Sequence, residues 1–152
     1  MGVIYVPVKD IMYFSGSTVG SYRVDNFSKV ADQSLDQWKA AGNQLPMDGL
    51  KENFTIVASR SHMSDETKAF MAELEAEHGK VDVASMGSSL KLCLVAEGAA
   101  DIYPRFAPTM EWDTAAGHAI VLGAGKTVID HSTGSLMKYN KENLLNNWFI
   151  VK

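Results

Sequence analysis

The segment Pro108-Thr-Met-Glu-Trp-Asp-Thr-Ala-Ala-Gly-His-Ala-Ile120 is the stretch from which the rest of this chain can be interpreted. One carboxylate, Asp113, stands just before the small residues Ala115-Ala116-Gly117, and apolar residues continue to Leu122. Aspartate is favoured as a helix N-cap because its side chain accepts a hydrogen bond from an unpaired backbone N–H of the first turn. The pattern therefore predicts a helix capped by Asp113. The small residues behind it would let another backbone, an ion or a phosphate approach closely.

Asp113 has two interpretations at this position. A carboxylate at the start of a helix can hold a divalent cation that in turn binds a phosphate. An aspartate that only caps its helix is much commoner, so the local pattern by itself favours the capping role.

The composition is that of one globular domain with a real core, because 46% of the 152 residues are hydrophobic and 21% are charged. The net charge is -4, which predicts no nucleic-acid polymer and no anionic membrane as a partner. A small phosphorylated ligand stays open, since local charge can oppose the net sign. No apolar run is long enough to cross a bilayer.

The single cysteine, Cys93, lies in an apolar run and is interpreted as a buried, unreactive side chain. One cysteine fits a reducing compartment, so a cytoplasmic location is expected. The four histidines show no zinc-binding spacing, and His118 is interpreted as structural.

Strands and helices alternate from Phe54 onward, which predicts an α/β fold with a mixed, largely parallel sheet and helices on its faces. The helix after Ser64 should end at Gly79, and Asn147–Val151 is predicted as a last edge strand. Before Phe54 the pattern predicts an antiparallel sheet followed by a variable connection with one short helix. The strands expected in that sheet are 3–8, 11–14 and 21–24.

Several motifs occur in an order that is more specific than any one of them. They are Ser59-Arg-Ser-His62, Gly87-Ser-Ser-Leu-Lys91, Cys93-Leu-Val-Ala-Glu-Gly98, Tyr103-Pro-Arg-Phe106, Trp112-Asp-Thr-Ala-Ala-Gly-His-Ala119 and Tyr139-Asn-Lys-Glu-Asn-Leu-Leu-Asn146. Together they resemble the inositol monophosphatase superfamily, and within it the 3'(2'),5'-bisphosphate nucleotidases. The resemblance covers nearly the whole chain and is weakest between about Gly16 and Glu52.

The resemblance implies that this chain corresponds to the C-terminal half of a longer α/β sandwich. Residues 1–50 would then be the remnant of an N-terminal antiparallel-sheet domain plus the variable connection. Residues 51–152 would be the C-terminal domain that contacts substrate.

The resemblance also implies roles for five residues. It assigns Asp113 as a metal ligand with a catalytic and substrate-orienting role, and His62, Ser88, Lys91 and Arg105 as substrate contacts. From pattern alone, His62 is a polar loop residue, Ser88 an N-cap, Lys91 a solvated lysine and Arg105 a surface arginine. Tyr103 and Trp112 could stack on a base, although aromatic residues at such positions are more often core.

The family resembled here uses Mg²⁺, whose hard-cation chemistry needs several oxygen ligands. The resemblance places most of these ligands on an N-terminal glutamate and an Asp-Pro-Ile-Asp-Gly-Thr type segment, and neither occurs in this sequence. Met47-Asp-Gly49 contains the same dipeptide in another context and is interpreted as a turn. Of the family's metal ligands, only Asp113 has a counterpart.

The resemblance favours a Mg²⁺-dependent phosphatase that converts adenosine 3',5'-bisphosphate to AMP and phosphate, with this chain as an inactive half. An inositol monophosphatase is the alternative within the family. A noncatalytic domain that binds phosphorylated nucleotides, or one that self-associates through an exposed sheet edge, is the alternative of another class.

Overall fold

A computed structural model describes residues 1–58 and 63–152 and is organised around one helix, α4, at Glu111–Gly123. On one side α4 packs against an antiparallel sheet of four strands in the order β1-β2-β3-β4. On another side it packs against helix α3 at Leu90–Ala96. The strands of the sheet are β1 at Gly2–Val6, β2 at Ile11–Gly16, β3 at Gly20–Asp25 and β4 at Asn43–Gln44.

Small residues decide how closely α4 approaches this sheet. A side-chain carbon on Gly2 would collide with the Ala116 carbonyl oxygen, and one on Gly123 would collide with the hydroxyls of Ser15 and Ser21. Gly2 of β1 and Gly123 of α4 therefore allow the close contact between the sheet and the helix. Gly117, the one glycine of the predicted small run, packs instead against the Leu92 side chain of α3.

The other face of the antiparallel sheet is covered by the connection that follows β3. A short 3-10 helix at Phe27–Lys29 and helix α1 at Leu35–Ala41 lie in this connection. Phe27 and Trp38 pack edge to face, and both belong to the apolar cluster that contains Phe14. The expected short helix is confirmed.

The remaining elements form an α/β arrangement, as predicted. Strands β5 and β6 pair in parallel, whereas β9 pairs antiparallel with both β7 and β8. Antiparallel pairing is therefore more frequent here than the sequence pattern suggested, because the segment between β8 and β9 contains no crossover helix. The elements are β5 at Phe54–Val57, α2 at Asp65–His78, β6 at Val81–Ala84, β7 at Tyr103–Arg105, β8 at Val128–Asp130 and β9 at Phe149–Val151.

Two end-of-element predictions had different outcomes. Ser64 caps α2 by accepting a hydrogen bond from the Thr67 N–H, and Gly79 ends the helix at a φ of 76°, as expected. The prediction that the last strand lies at a sheet edge was wrong, because β9 is the middle strand of the order β7-β9-β8. Its Phe149 and Val151 side chains are almost completely buried.

One apolar cluster connects both parts of the chain. It includes Tyr13 and Leu45 from the N-terminal part and Ile120, Val128 and Phe149 from the C-terminal part. The division at about residue 50 stays a prediction. Among the described residues, no helix is long and apolar enough to span a bilayer.

A buried acidic residue ties the antiparallel sheet to the end of α3. Glu97 is only 4% exposed. One of its oxygens accepts hydrogen bonds from Arg23 of β3, at 2.9 Å, and from the hydroxyl of Tyr13 of β2, at 2.8 Å. No local sequence pattern predicts this ion pair.

Strand β1 forms one edge of the antiparallel sheet, as expected for its position in the chain. Its Val3 and Tyr5 side chains are 48% and 44% exposed. Self-association through this edge stays a prediction.

Candidate functional site

Four of the five predicted site residues line one pocket with a volume of about 470 Å³. These are Ser88, Lys91, Arg105 and Asp113, which come from three separate segments of the chain. The fifth, His62, lies outside the described residues together with the rest of its Ser59–His62 motif.

Asp113 lies at the N-terminal end of α4, although it is not the N-cap of that helix. The helix begins at Glu111, so Asp113 is in its first turn and its Oδ2 accepts a hydrogen bond from the Met110 N–H at 2.8 Å. The N-cap prediction was wrong because an acidic residue in the first turn satisfies a terminal N–H by reaching back, as in a capping box. The Asp113 side chain is exposed on the pocket wall.

The Tyr139–Asn146 motif holds this first turn in place. The Asn146 side-chain amide donates to the Met110 carbonyl at 2.9 Å and to the Thr114 hydroxyl at 3.2 Å. Glu111, at the start of α4, accepts hydrogen bonds from the backbone N–H groups of Asn140 and Lys141 and from the Lys141 ammonium. The hydrogen bond from that ammonium lowers the pKa of Glu111. The motif therefore positions the turn that carries Asp113.

A second set of polar contacts continues from this turn into α4. The Tyr139 hydroxyl donates to the Thr114 hydroxyl at 3.1 Å and lies 3.0 Å from Nδ1 of His118. His118 is 5% exposed, and burial lowers its pKa. The contacts agree with the structural role expected for His118.

Ser88 adopts an uncommon backbone conformation at the edge of the pocket. Its φ is 52°, a left-handed value that few residues other than glycine take. Ser89, and not Ser88, occupies the N-cap position of α3, so the N-cap prediction for Ser88 was wrong. The left-handed turn at Ser88 delays the start of the helix by one residue and leaves its side chain exposed.

Lys91 lies partly buried in the first turn of α3. Its ammonium is 5.7 Å from the centre of the Tyr103 ring, within reach of a cation–π interaction. Burial lowers the pKa of Lys91, and the positive charge of Arg105 lowers it further. Two cations therefore face the same pocket.

Arg105 ends β7, and the loop that follows anchors one branch of its guanidinium. Its Nη2 donates to the Pro108 carbonyl at 3.3 Å, while its buried Nε has no hydrogen-bond partner within the described residues. In that same part of the chain, neither Arg105 nor Lys91 forms an ion pair with a carboxylate. Two cations without a carboxylate partner in the described structure are groups that can bind a phosphate.

Comparison with known proteins shows the family of this chain. The model of the inositol monophosphatase family matches residues 1–150. The chain belongs to the inositol monophosphatase family. It is 38% identical over 151 residues to the 3'(2'),5'-bisphosphate nucleotidase CysQ of Salmonella typhimurium, covering 99% of this chain and 54% of that protein.

Solved structures agree with the fold. The crystal structure of CysQ from Bacteroides thetaiotaomicron superimposes with a TM-score of 0.89 at 48% identity, over 99% of this chain and 56% of that one. An inositol monophosphatase from Staphylococcus aureus superimposes with a TM-score of 0.64 at 18% identity, over 98% of this chain and 50% of that one, and shows the shared fold alone. The chain spans about half the length of the curated relatives it matches.

Asp113 is the only carboxylate among the described residues that line the pocket. No group of three or more His, Cys, Asp or Glu side chains in those parts of the chain could hold a metal ion. Asp113 can therefore supply one oxygen ligand to Mg²⁺, and the other ligands would have to come from water, from a substrate phosphate or from outside the described residues.

One residue of the site, Asn146, was not assigned a role from the sequence. It was recognised only as part of a motif, and its contacts with Met110 and Thr114 join segments more than 30 residues apart. Trp112 and Tyr103, both considered as stacking surfaces, line the same pocket and differ in exposure. Tyr103 is buried at 6% exposure, whereas Trp112 is 65% exposed on the pocket wall.

The lowered pKa of Lys91 predicts how ligand binding depends on pH. A bound phosphate favours the charged ammonium, so it raises the pKa of Lys91 in the complex relative to the free protein. Affinity should be constant at pH values below the free pKa and fall as pH rises from the free towards the bound value. We therefore expect binding of a phosphorylated ligand to weaken at a lower alkaline pH than it would beside a lysine with an ordinary pKa.

Calorimetric titrations from pH 7 to pH 10.5 would measure this dependence. Lys91→Arg is the matched variant, because arginine keeps its proton throughout this range. The weakening should disappear in Lys91→Arg. An identical pH dependence in both proteins would contradict the assignment of Lys91 to the ligand.

Proposed function

We propose that this chain provides the nucleotide-binding side of a phosphatase that converts adenosine 3',5'-bisphosphate to AMP and phosphate. The observation that carries the proposal is the pocket in which Ser88, Lys91, Arg105 and Asp113 meet, because neither cation has a carboxylate partner among the described residues. The similarity to the CysQ nucleotidases supports this choice of substrate.

The pocket suggests a division of roles among these side chains. Lys91 and Arg105 neutralise and orient the phosphates, Arg105 through a planar fork of donors and Lys91 as a point charge. Ser88 offers an exposed hydroxyl at the same wall. Asp113 contributes one carboxylate oxygen towards a divalent cation, Mg²⁺ by family resemblance.

This division leaves the chain with substrate contacts and without most metal ligands. We therefore expect the 152-residue chain to bind the nucleotide and to release no phosphate from it. The cytoplasmic location predicted from cysteine usage belongs to the same proposal.

Two alternative functions can be distinguished from this one by experiment. An inositol monophosphatase would prefer inositol 1-phosphate to the nucleotide. A binding domain without catalysis is favoured because Asp113 is the single carboxylate among the described residues that line the pocket. Such a domain would bind the nucleotide and release no phosphate, even when assembled with a further polypeptide.

The proposal is tested by measuring binding and phosphate release with the same protein. Binding of adenosine 3',5'-bisphosphate and of inositol 1-phosphate is measured by calorimetry, and phosphate release is measured with Mg²⁺ for the wild-type chain and for Asp113→Asn. We expect preferential nucleotide binding and no phosphate release from either protein. Release that disappears in Asp113→Asn would show that the chain assembles a working metal site, and tighter binding of inositol phosphate would overturn the choice of substrate.

A further inference from the structure

The exposure of Trp112 is unusual for a tryptophan in a pocket wall. Its side chain is 65% exposed although it lies in the first turn of a well-packed helix. Within the described parts of the chain, its indole has no aromatic ring partner and no hydrogen bond. The other two tryptophans differ, since Trp38 packs on Phe27 and donates to the Val30 carbonyl, and Trp148 packs on Phe106.

The position of this free indole fits a ligand that carries an aromatic ring. Trp112 shares the pocket with Lys91 and Arg105 and is adjacent in sequence to Asp113. A pocket of about 470 Å³ is in the range of small-ligand sites. The other aromatic side chains that line the pocket, Tyr103 and Phe149, are buried and have little free face for stacking.

On the basis of the proposed function, we propose that the Trp112 indole is the surface on which the base of the bound nucleotide stacks. A nucleobase offers a flat π face, and stacking of a base on an aromatic side chain adds affinity without requiring a specific hydrogen-bond pattern. A phosphorylated cyclitol has no such face. Trp112 thereby selects nucleotides over base-free phosphate monoesters that the same two cations could hold.

The test compares two ligands that differ only in the base. One is adenosine 3',5'-bisphosphate, and the other is its abasic analogue with hydrogen in place of adenine. Both are titrated by calorimetry into the wild-type chain, Trp112→Leu, which is apolar without an aromatic face, and Trp112→Phe, which keeps one. Trp148→Phe is the control for a tryptophan outside the pocket.

In the wild-type chain we expect adenine to improve binding about tenfold or more. Trp112→Leu should weaken nucleotide binding to the level of the abasic analogue and leave affinity for that analogue within about twofold. Trp112→Phe should keep part of the gain. Nucleotide binding should also quench tryptophan emission in the wild-type chain and in Trp148→Phe, and not in Trp112→Phe.

The possible failures point to different conclusions. If Trp112→Leu weakens both ligands equally, the indole only shapes the pocket and the stacking inference is wrong. If the wild-type chain binds both ligands equally well, the base has no stacking surface and the phosphate pocket still stands. If it binds neither ligand, the proposed function fails and the inference fails with it.

Discussion

Replacing Arg105 with alanine is expected to weaken the binding of adenosine 3',5'-bisphosphate by about 10- to 100-fold. Hydrogen bonds to charged groups contribute about 1.5–3 kcal/mol, which corresponds to this range of affinity. Arg105 ends β7 at the pocket and has no carboxylate partner in the described structure, so a phosphate would meet a positive charge that no anion of the described protein compensates. The effect should also shrink as salt is added, because the interaction is between charges.

Arg105→Lys separates charge from geometry at this position. Lysine keeps the positive charge and loses the planar fork of donors, so it should recover only part of the lost affinity. Lys68→Ala removes an exposed lysine that pairs with Asp65 on α2, and it serves as the control for a change in net charge. Equal nucleotide affinity in the wild-type chain and Arg105→Ala, with unchanged thermal stability, would contradict the phosphate role of Arg105.

Thermal stability must be measured for these variants, because Arg105 also supports the loop that follows it. The Nη2 contact with the Pro108 carbonyl precedes the turn that leads into α4. A variant that loses affinity and keeps its unfolding temperature has lost a ligand contact. A variant that loses both affinity and thermal stability has lost the contact that supports the loop.

The central role of α4 was predictable from sequence, while its exact start was not. Aspartate is favoured both as an N-cap and in the first turn, so the sequence around Asp113 fits either position. The choice is made by tertiary contacts from Leu144 and Asn146, whose partners are the Glu111 N–H and the Met110 carbonyl. Contacts between residues so far apart in sequence cannot be predicted from the local sequence pattern.

The order of the strands in the sheet could not be predicted from the local sequence either. The apolar pattern of 147–151 identifies a strand, and β9 is there. Its place between β7 and β8 depends on which neighbours cover it, and period-two alternation carries no information about neighbours.

The pocket was predictable only because several motifs were interpreted together. Ser88, Lys91, Arg105 and Asp113 are separated by as many as 25 residues, and each one by itself is typical of a cap or a surface charge. The family resemblance brought them together, and the structure places all four at one pocket. Trp112 shows the reverse case, since its exposure can be seen only in the structure.

The largest expected change in stability comes from removing the cation beside Glu97. Arg23→Met keeps an apolar stem of similar length and leaves Glu97, which is 4% exposed, with the Tyr13 hydroxyl as its remaining described partner. Removing one member of a buried ion pair costs about 3–5 kcal/mol, because the other charge stays buried without compensation. We expect the free energy of unfolding at pH 8 to fall by about this amount, measured by urea denaturation.

A second substitution distinguishes a buried charge from lost packing. Adding Glu97→Gln to Arg23→Met should recover most of the loss at pH 8, because an amide carries no charge and needs no compensating cation. Asp25→Asn removes the exposed partner of Arg23 and should cost less than about 1 kcal/mol. A deficit that Glu97→Gln leaves unchanged would mean that Arg23 stabilises the junction between the sheet and α3 by packing and not by its charge.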